Sequence, residues 1–145
     1  MTFVADKLIG ECAERTFDLI ALPGGMPGAT NLRNCSVLIQ MLKKQKETNR
    51  WYAAICASPA VVFQPHGLLE DHQKATCYPA TKFADVLGAQ RSDKRVVVSG
   101  KCITSQGPGT AMEFSVVLVE CLLGLKAAQV VEAPLLMASI ASAQY

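Results

Sequence analysis

Short apolar runs alternate with stretches whose apolar positions recur at helical spacing. FDLIAL (Phe17 to Leu22) is unbroken and stops at Pro23-Gly24-Gly25, the pattern of a buried parallel strand running into a loop. WYAAI (Trp51 to Ile55) is a second such run. RVVVSGKCITS (Arg95 to Ser105) predicts a hairpin turning at Ser99-Gly100-Lys101, and Lys74 to Cys77 a further short strand. Between them, Ser36 to Glu47 places Leu38, Met41 and Leu42 on one helical face and lysines on the other. Asp6 is positioned to cap a helix through about Arg15, with Leu8, Ile9, Cys12 and Ala13 as its apolar side. After Gly107-Pro108-Gly109, Thr110 opens a long helix. Its predicted core stripe is Ala111, Phe114, Leu118, Cys121 and Leu122, with Glu113 and Glu120 outward. A last helix starts near Leu125 and stops near Pro134. Strands alternating with helices predict an α/β sheet with helices on both faces. In such folds chemistry collects at the carboxyl ends of the strands.

Composition narrows the class. With 145 residues, half of them hydrophobic and 18% charged, one domain with a sizeable core is expected. The net charge of +2 and the single lysine cluster at Lys43, Lys44 and Lys46 predict a solvated helix face, not a nucleic-acid surface. No apolar run reaches the roughly 18 residues of a membrane span, and MTFVADKLIGEC lacks the form of a signal peptide. No membrane partner is expected, and the predicted compartment is the cytoplasm, or the nucleus or a plastid if an upstream segment directs it there.

The six cysteines, at 12, 35, 56, 77, 102 and 121, show no C-x-x-C pair and no histidine at metal spacing. Free thiols that mostly fill the core are expected, and no metal site. Cys56 is different. It follows the strand WYAAI, and Ser58-Pro59 after it suits the first turn of a helix. Ala54, Ala57 and Ser58 give it small neighbours, as a nucleophile on a tight strand-to-helix turn requires. Free N–H groups at a helix start favour an anion, which would make Cys56 a nucleophile and an oxidation target. A packed core thiol is the competing reading. Gly24 and Gly25 allow backbone N–H groups to approach a reacting oxygen, although a plain turn would use the same glycines. Cys77 reads as core filler. His66 and His72 read as surface residues without catalytic work.

The segments LPGG (Leu22 to Gly25), AAICASPAVVF (Ala53 to Phe63), GLLEDHQKAT (Gly67 to Thr76) and ITSQGPGTAMEF (Ile103 to Phe114) resemble the ThiJ/PfpI superfamily, in its DJ-one and YajL-like branch of parkinsonism-associated protein deglycases. The likeness runs from about Val4 to Met137, with the motifs in family order. It implies a flavodoxin-like (class I glutamine amidotransferase-like) three-layer sandwich. It also implies that Cys56 is the reactive, oxidation-sensitive cysteine and that Gly24, Gly25 and Ala57 form the oxyanion hole beside it. Tyr78, Ser105, Gly107 and Pro108 would approach the same pocket. Tyr78 stands where several relatives carry histidine.

The implied function is glutathione-independent glyoxalase or deglycase activity on small reactive carbonyls such as methylglyoxal, with a role in oxidative-stress protection. No cofactor is implied. The implied partners are a second copy, as a homodimer, or a tandem partner domain. By this likeness the chain, 1–145, is a single partial domain whose first strand and helix would precede it, together with a glutamate that hydrogen-bonds the thiol. Glu11 and Glu14 lie on a surface helix and do not replace that glutamate. Two alternatives stand beside the enzyme: a redox sensor or chaperone that uses oxidisable Cys56, and a truncated inactive domain. A protease would need a histidine to activate the thiol, and none is placed for it.

Overall fold

In the computed structural model, which describes residue 2 and residues 4–137, four strands form one sheet. They are β1 (Leu19–Leu22), β2 (Trp51–Ile55), β3 (Val96–Ser99) and β4 (Cys102–Ser105), in the order β1-β2-β4-β3. β1, β2 and β4 run parallel, and β3 returns antiparallel beside β4. The hairpin turns where expected, with Gly100 at φ +61°. Here glycine is required, because a Cβ would strain that left-handed conformation.

The helices are α1 (Ile9–Cys12), α2 (Gly28–Asn34), α3 (Ser36–Glu47), α4 (Thr81–Leu87), α5 (Ala111–Leu123) and α6 (Leu125–Glu132). Side chains alternate across β2 and divide the core in two. Tyr52 and Ala54 face Leu38, Ile39 and Leu42 of α3 together with Val62, Phe63 and Leu68. Ala53, with Trp51 and Ile55, faces Phe114, Val117 and Leu118 of α5. The sheet thus lies between two helical layers, as the flavodoxin-like three-layer sandwich requires. Phe63 and Leu42 are completely buried. Truncating Phe63 to alanine would cost about 3–5 kcal/mol.

Several elements differ from the pattern. The strand expected from Phe17 starts at Leu19. α1 has only four residues and begins after Leu8, whose N–H donates to Glu11 Oε2 at 2.9 Å, so Asp6 does not cap it. Leu8 and Ile9 stay exposed, so little packing propagates that helix. α2 and α4 had no periodic signal, because each buries only one or two side chains. Lys74 to Cys77 is not a strand and makes a single bridge, Ala75 to Arg91. Amides in and just after it go to unrelated acceptors, Ala75 to Gln90 O, Thr76 to Thr104 Oγ1 and Tyr78 to Cys56 O, so no ladder forms. On α5, Ala111 and Leu122 lie outside the core, and Phe114, Val116 and Val117 are the buried positions. Glu113 turns inward, its side chain only 12% exposed, because Arg95 Nε donates to it at 2.7 Å.

No helix among the described residues is long and apolar enough to cross a membrane.

Candidate functional site

Strand register brings the candidate residues together. Leu22 pairs with Ala54 and Ile55 with Ser105, so the loops after β1, β2 and β4 leave the sheet side by side. Cys56 is the first residue beyond β2 and has φ +66°. A side chain in the left-handed region costs about 1–3 kcal/mol and persists only where its surroundings impose it. Here both backbone groups of Cys56 are held. Its N–H donates to Ser105 O at 3.0 Å, and its carbonyl accepts from Tyr78 N–H at 2.8 Å. The chain then winds into a π-helical turn, Pro59–Phe63, and a 3₁₀ turn, Gln64–His66, in place of a regular helix. Irregular turns of this kind are frequent at functional sites. The Cys56 thiol is half-buried.

Gly24 lies against Cys56. A Cβ on residue 24 would stand 3.1 Å from the Cys56 sulfur and closer still to its Cβ. Gly25 has φ +86°, and its carbonyl accepts from Ala29 N–H as α2 begins. Ala57 is buried beside them. Among the described residues the N–H groups of Gly24, Gly25 and Ala57 donate to no protein acceptor. An oxyanion needs donors that are free in this way.

On the other side of Cys56, Ser105 is fully buried and its hydroxyl is committed. It donates to Arg95 O at 2.9 Å and lies 2.6 Å from Thr110 Oγ1, which in turn accepts Gly107 N–H at 3.0 Å. Ser105 therefore holds the elbow through its carbonyl and offers no hydroxyl to a ligand. Gly107 lies against the ring of Tyr78, and Pro108 is exposed at the start of the turn leading into α5.

Two positioning residues carried little sequence signal. Ser58 is fully buried, and its hydroxyl donates to Pro23 O, which fastens the elbow to the loop that carries Gly24. Thr110 organises residues 105–107 from the start of α5. A small hydroxyl next to a helix start was the only hint of either.

Three of the remaining thiols are perturbed by their surroundings. Burial pushes Cys77 up to about 11 and Cys102 up to about 12, and also raises Cys121. These three are neutral thiols at physiological pH, in keeping with a filling role. His72 is exposed beside Glu70, and His66 Nε2–H donates to Arg33 O at 2.9 Å. Among the described residues no carboxylate is hydrogen-bonded to Cys56. A surface hollow of about 350 Å³ is lined by Lys43, Lys46, Glu47, His66 and Glu70, and none of the residues around Cys56 borders it.

A half-buried thiol between free amides, on a strained turn, can attack an electrophile and shelter the oxyanion formed. Comparison with known proteins places the chain in a family. The DJ-1/PfpI family matches residues 1–121. Protein DJ-1 homolog B of Arabidopsis thaliana is 50% identical over 134 residues, 92% of this chain and 30% of its own length. A Caenorhabditis elegans protein named glutathione-independent glyoxalase DJR-1.2 is 38% identical over 122 residues, 83% of this chain and 63% of its own length. Among solved structures, oxidised Toxoplasma gondii DJ-1 has a TM-score of 0.88 and 48% identity, covering 93% of this chain and 72% of that one. The chain thus spans under a third of the Arabidopsis protein and just under two thirds of the nematode one. With the match extending over most of its length and the sheet superposing on a solved relative, the chain belongs to the DJ-1/PfpI family.

Proposed function

We propose that this chain acts on small reactive carbonyls of the 2-oxoaldehyde class, such as methylglyoxal, without glutathione and with Cys56 as nucleophile. The observation that carries this reading is the strained backbone of Cys56, pinned by Ser105 and Tyr78 while Gly24 faces the sulfur. Strain held by two separate segments is difficult to account for as packing alone. The name of the nematode relative supports the same chemistry.

In the first step the sulfur attacks the aldehyde carbon. A C–S bond forms, the carbonyl π pair moves to oxygen, and the amides of Gly24, Gly25 and Ala57 receive that oxyanion. The hydrogen on the former aldehyde carbon leaves as a proton, and a proton is returned to the neighbouring carbonyl carbon, giving a thioester. Water then cleaves the C–S bond and releases a 2-hydroxy acid and the thiol. The substrate's aldehyde is oxidised and its ketone reduced, so no external electron carrier is needed. With proton transfer left to water, turnover is expected to be slow. Deglycation uses the same nucleophile on a hemiaminal. A cytoplasmic homodimer, or pairing with a tandem domain, and protection against oxidative stress belong to the same proposal.

Methylglyoxal consumption by the wild-type chain and by Cys56→Ser tests it. Loss of turnover in the serine variant is expected; equal rates would exclude covalent catalysis by Cys56.

A second reading is redox sensing, favoured by the half-buried thiol and by the solved relative in an oxidised form. One peroxide converts the Cys56 thiolate to sulfenate with release of water, and a second converts it to sulfinate. Selective gain of two oxygens at Cys56 supports sensing, and scattered oxidation over several cysteines counts against it.

A further inference from the structure

We infer that Tyr78 makes the Cys56 site selective for reactive carbonyls bearing a flat aromatic substituent; this rests on the reading of Cys56 as the nucleophile. Tyr78 is tied to Cys56 by its own backbone, its N–H donating to the Cys56 carbonyl at 2.8 Å. The residue is nonetheless 42% exposed. Tyrosine is commonly part-exposed, and here backbone hydrogen bonding and ring packing hold it beside the proposed nucleophile.

Two contacts fix it. Against one side of the ring lies Gly107, where a Cβ would come within 3.3 Å of Cδ2. At its edge Phe83 packs at 6.4 Å between centroids, with planes 78° apart. Lys82 Nζ lies 5.0 Å from the centroid of Phe83 and so backs the aromatic pair from α4. Among the described residues the Tyr78 hydroxyl has no partner. The result is a preset aromatic wall over the loop that follows β4.

Position in the sheet says what the wall faces. β1 and β4 flank β2, each about 4.8 Å away. The loops carrying Gly24 and Gly107 therefore bracket Cys56 about 10 Å apart. The Gly24 side supplies amides for oxygen, while the Gly107 side supplies a ring. A carbonyl compound with its oxygen toward Gly24 would extend its substituent toward Tyr78. An ordered ring loses little freedom on stacking, and aromatic pairing adds about 0.5–1.5 kcal/mol, or about two- to tenfold in rate or affinity.

The test needs no turnover. Cys56 is alkylated at neutral pH by phenacyl bromide, an aryl ketone, and by bromoacetone, its methyl counterpart. In each case the sulfur displaces bromide and forms a C–S bond, with the site confirmed by peptide mass mapping. The ratio of the two rate constants cancels the intrinsic reactivity of the thiol. In wild type this ratio is expected to exceed that of N-acetylcysteine by about two- to tenfold. Tyr78→Phe should keep the excess and Tyr78→Leu should lose it. A wild-type ratio equal to that of N-acetylcysteine overturns the inference without reference to any variant. So does an excess that survives in Tyr78→Leu, or one that Tyr78→Phe abolishes. Methylglyoxal turnover is measured separately. Its absence beside a Tyr78-dependent ratio defeats the glyoxalase reading alone, and its presence beside a flat ratio defeats this inference alone.

Discussion

Gly24 and Cys56 are in such close contact that residue 24 has no room for a side chain. A Cβ there would stand 2.3 Å from Cys56 Cβ and 2.8 Å from the carbonyl oxygen of Ile55. Neither obstacle is the loose end of a flexible chain. Gly24→Ala is therefore expected to push the two loops apart, at a cost of about 1–3 kcal/mol. It should also slow alkylation of Cys56, because the amides move with the loop. Urea unfolding and iodoacetamide kinetics measure both, and a variant with wild-type stability and rate would show that the contact is soft.

The left-handed backbone of Cys56 predicts an unusual order of stability among its variants. Alanine is normally favoured over glycine, but at φ +66° the order should reverse. Cys56→Gly is expected to be more stable than Cys56→Ala by about 1 kcal/mol. Thermal melts of the pair decide it, and the opposite order would mean that the strain is absent in solution.

Thr110 joins the segments 105–107 and α5 through one hydroxyl. Thr110→Val keeps the shape and leaves Gly107 N–H without its acceptor. A loss of about 1–3 kcal/mol is expected, together with slower reaction of Cys56, because Ser105 O positions the Cys56 amide. Thr110→Ser should restore most of both.

Alkaline pH should destabilise the fold through Cys102. Its thiol ionises near 9.0 in an open chain and at about 12 when buried. The unfolded state therefore releases a proton that the folded state retains, and stability falls as pH rises from about 9 toward 12. The slope approaches about 1.4 kcal/mol per pH unit for this group. Cys102→Ala lowers stability at neutral pH but should flatten the decline. Chemical denaturation at a series of pH values measures the slope, and an unchanged slope in the variant would assign the loss to other groups.

Legibility in the sequence followed the amount of apolar surface each element buries. α3, β2 and the β3–β4 hairpin bury continuous or periodic runs, and their bounds are visible from residues 36–47, 51–55 and 95–105. GATNLRN carries no such run, since only Ala29 is buried, and α2 stayed hidden. Glu113 looks like a surface residue by type; its partner Arg95 lies 18 positions away and follows from topology alone. At the site, the small residues around Cys56 were readable because a tight turn demands them. The tie from Ser58 to Pro23, 35 positions apart, was not, because a buried serine and an exposed one look alike in a sequence. The irregular turn after Cys56 was hidden for the same kind of reason, since no spacing of apolar residues separates a π turn from an α turn over five positions.

The hydrogen bonds that shape Cys56 reach residues 78 and 105, and its close neighbour is residue 24. A nascent chain that has emerged only as far as the cysteine cannot yet constrain it. Under the proposed function, the reactivity of this sulfur arises only after the hairpin at residues 95–105 has docked. On that reading the thiol then serves as a built-in reporter of assembly: a partly folded or locally opened copy carries an ordinary cysteine.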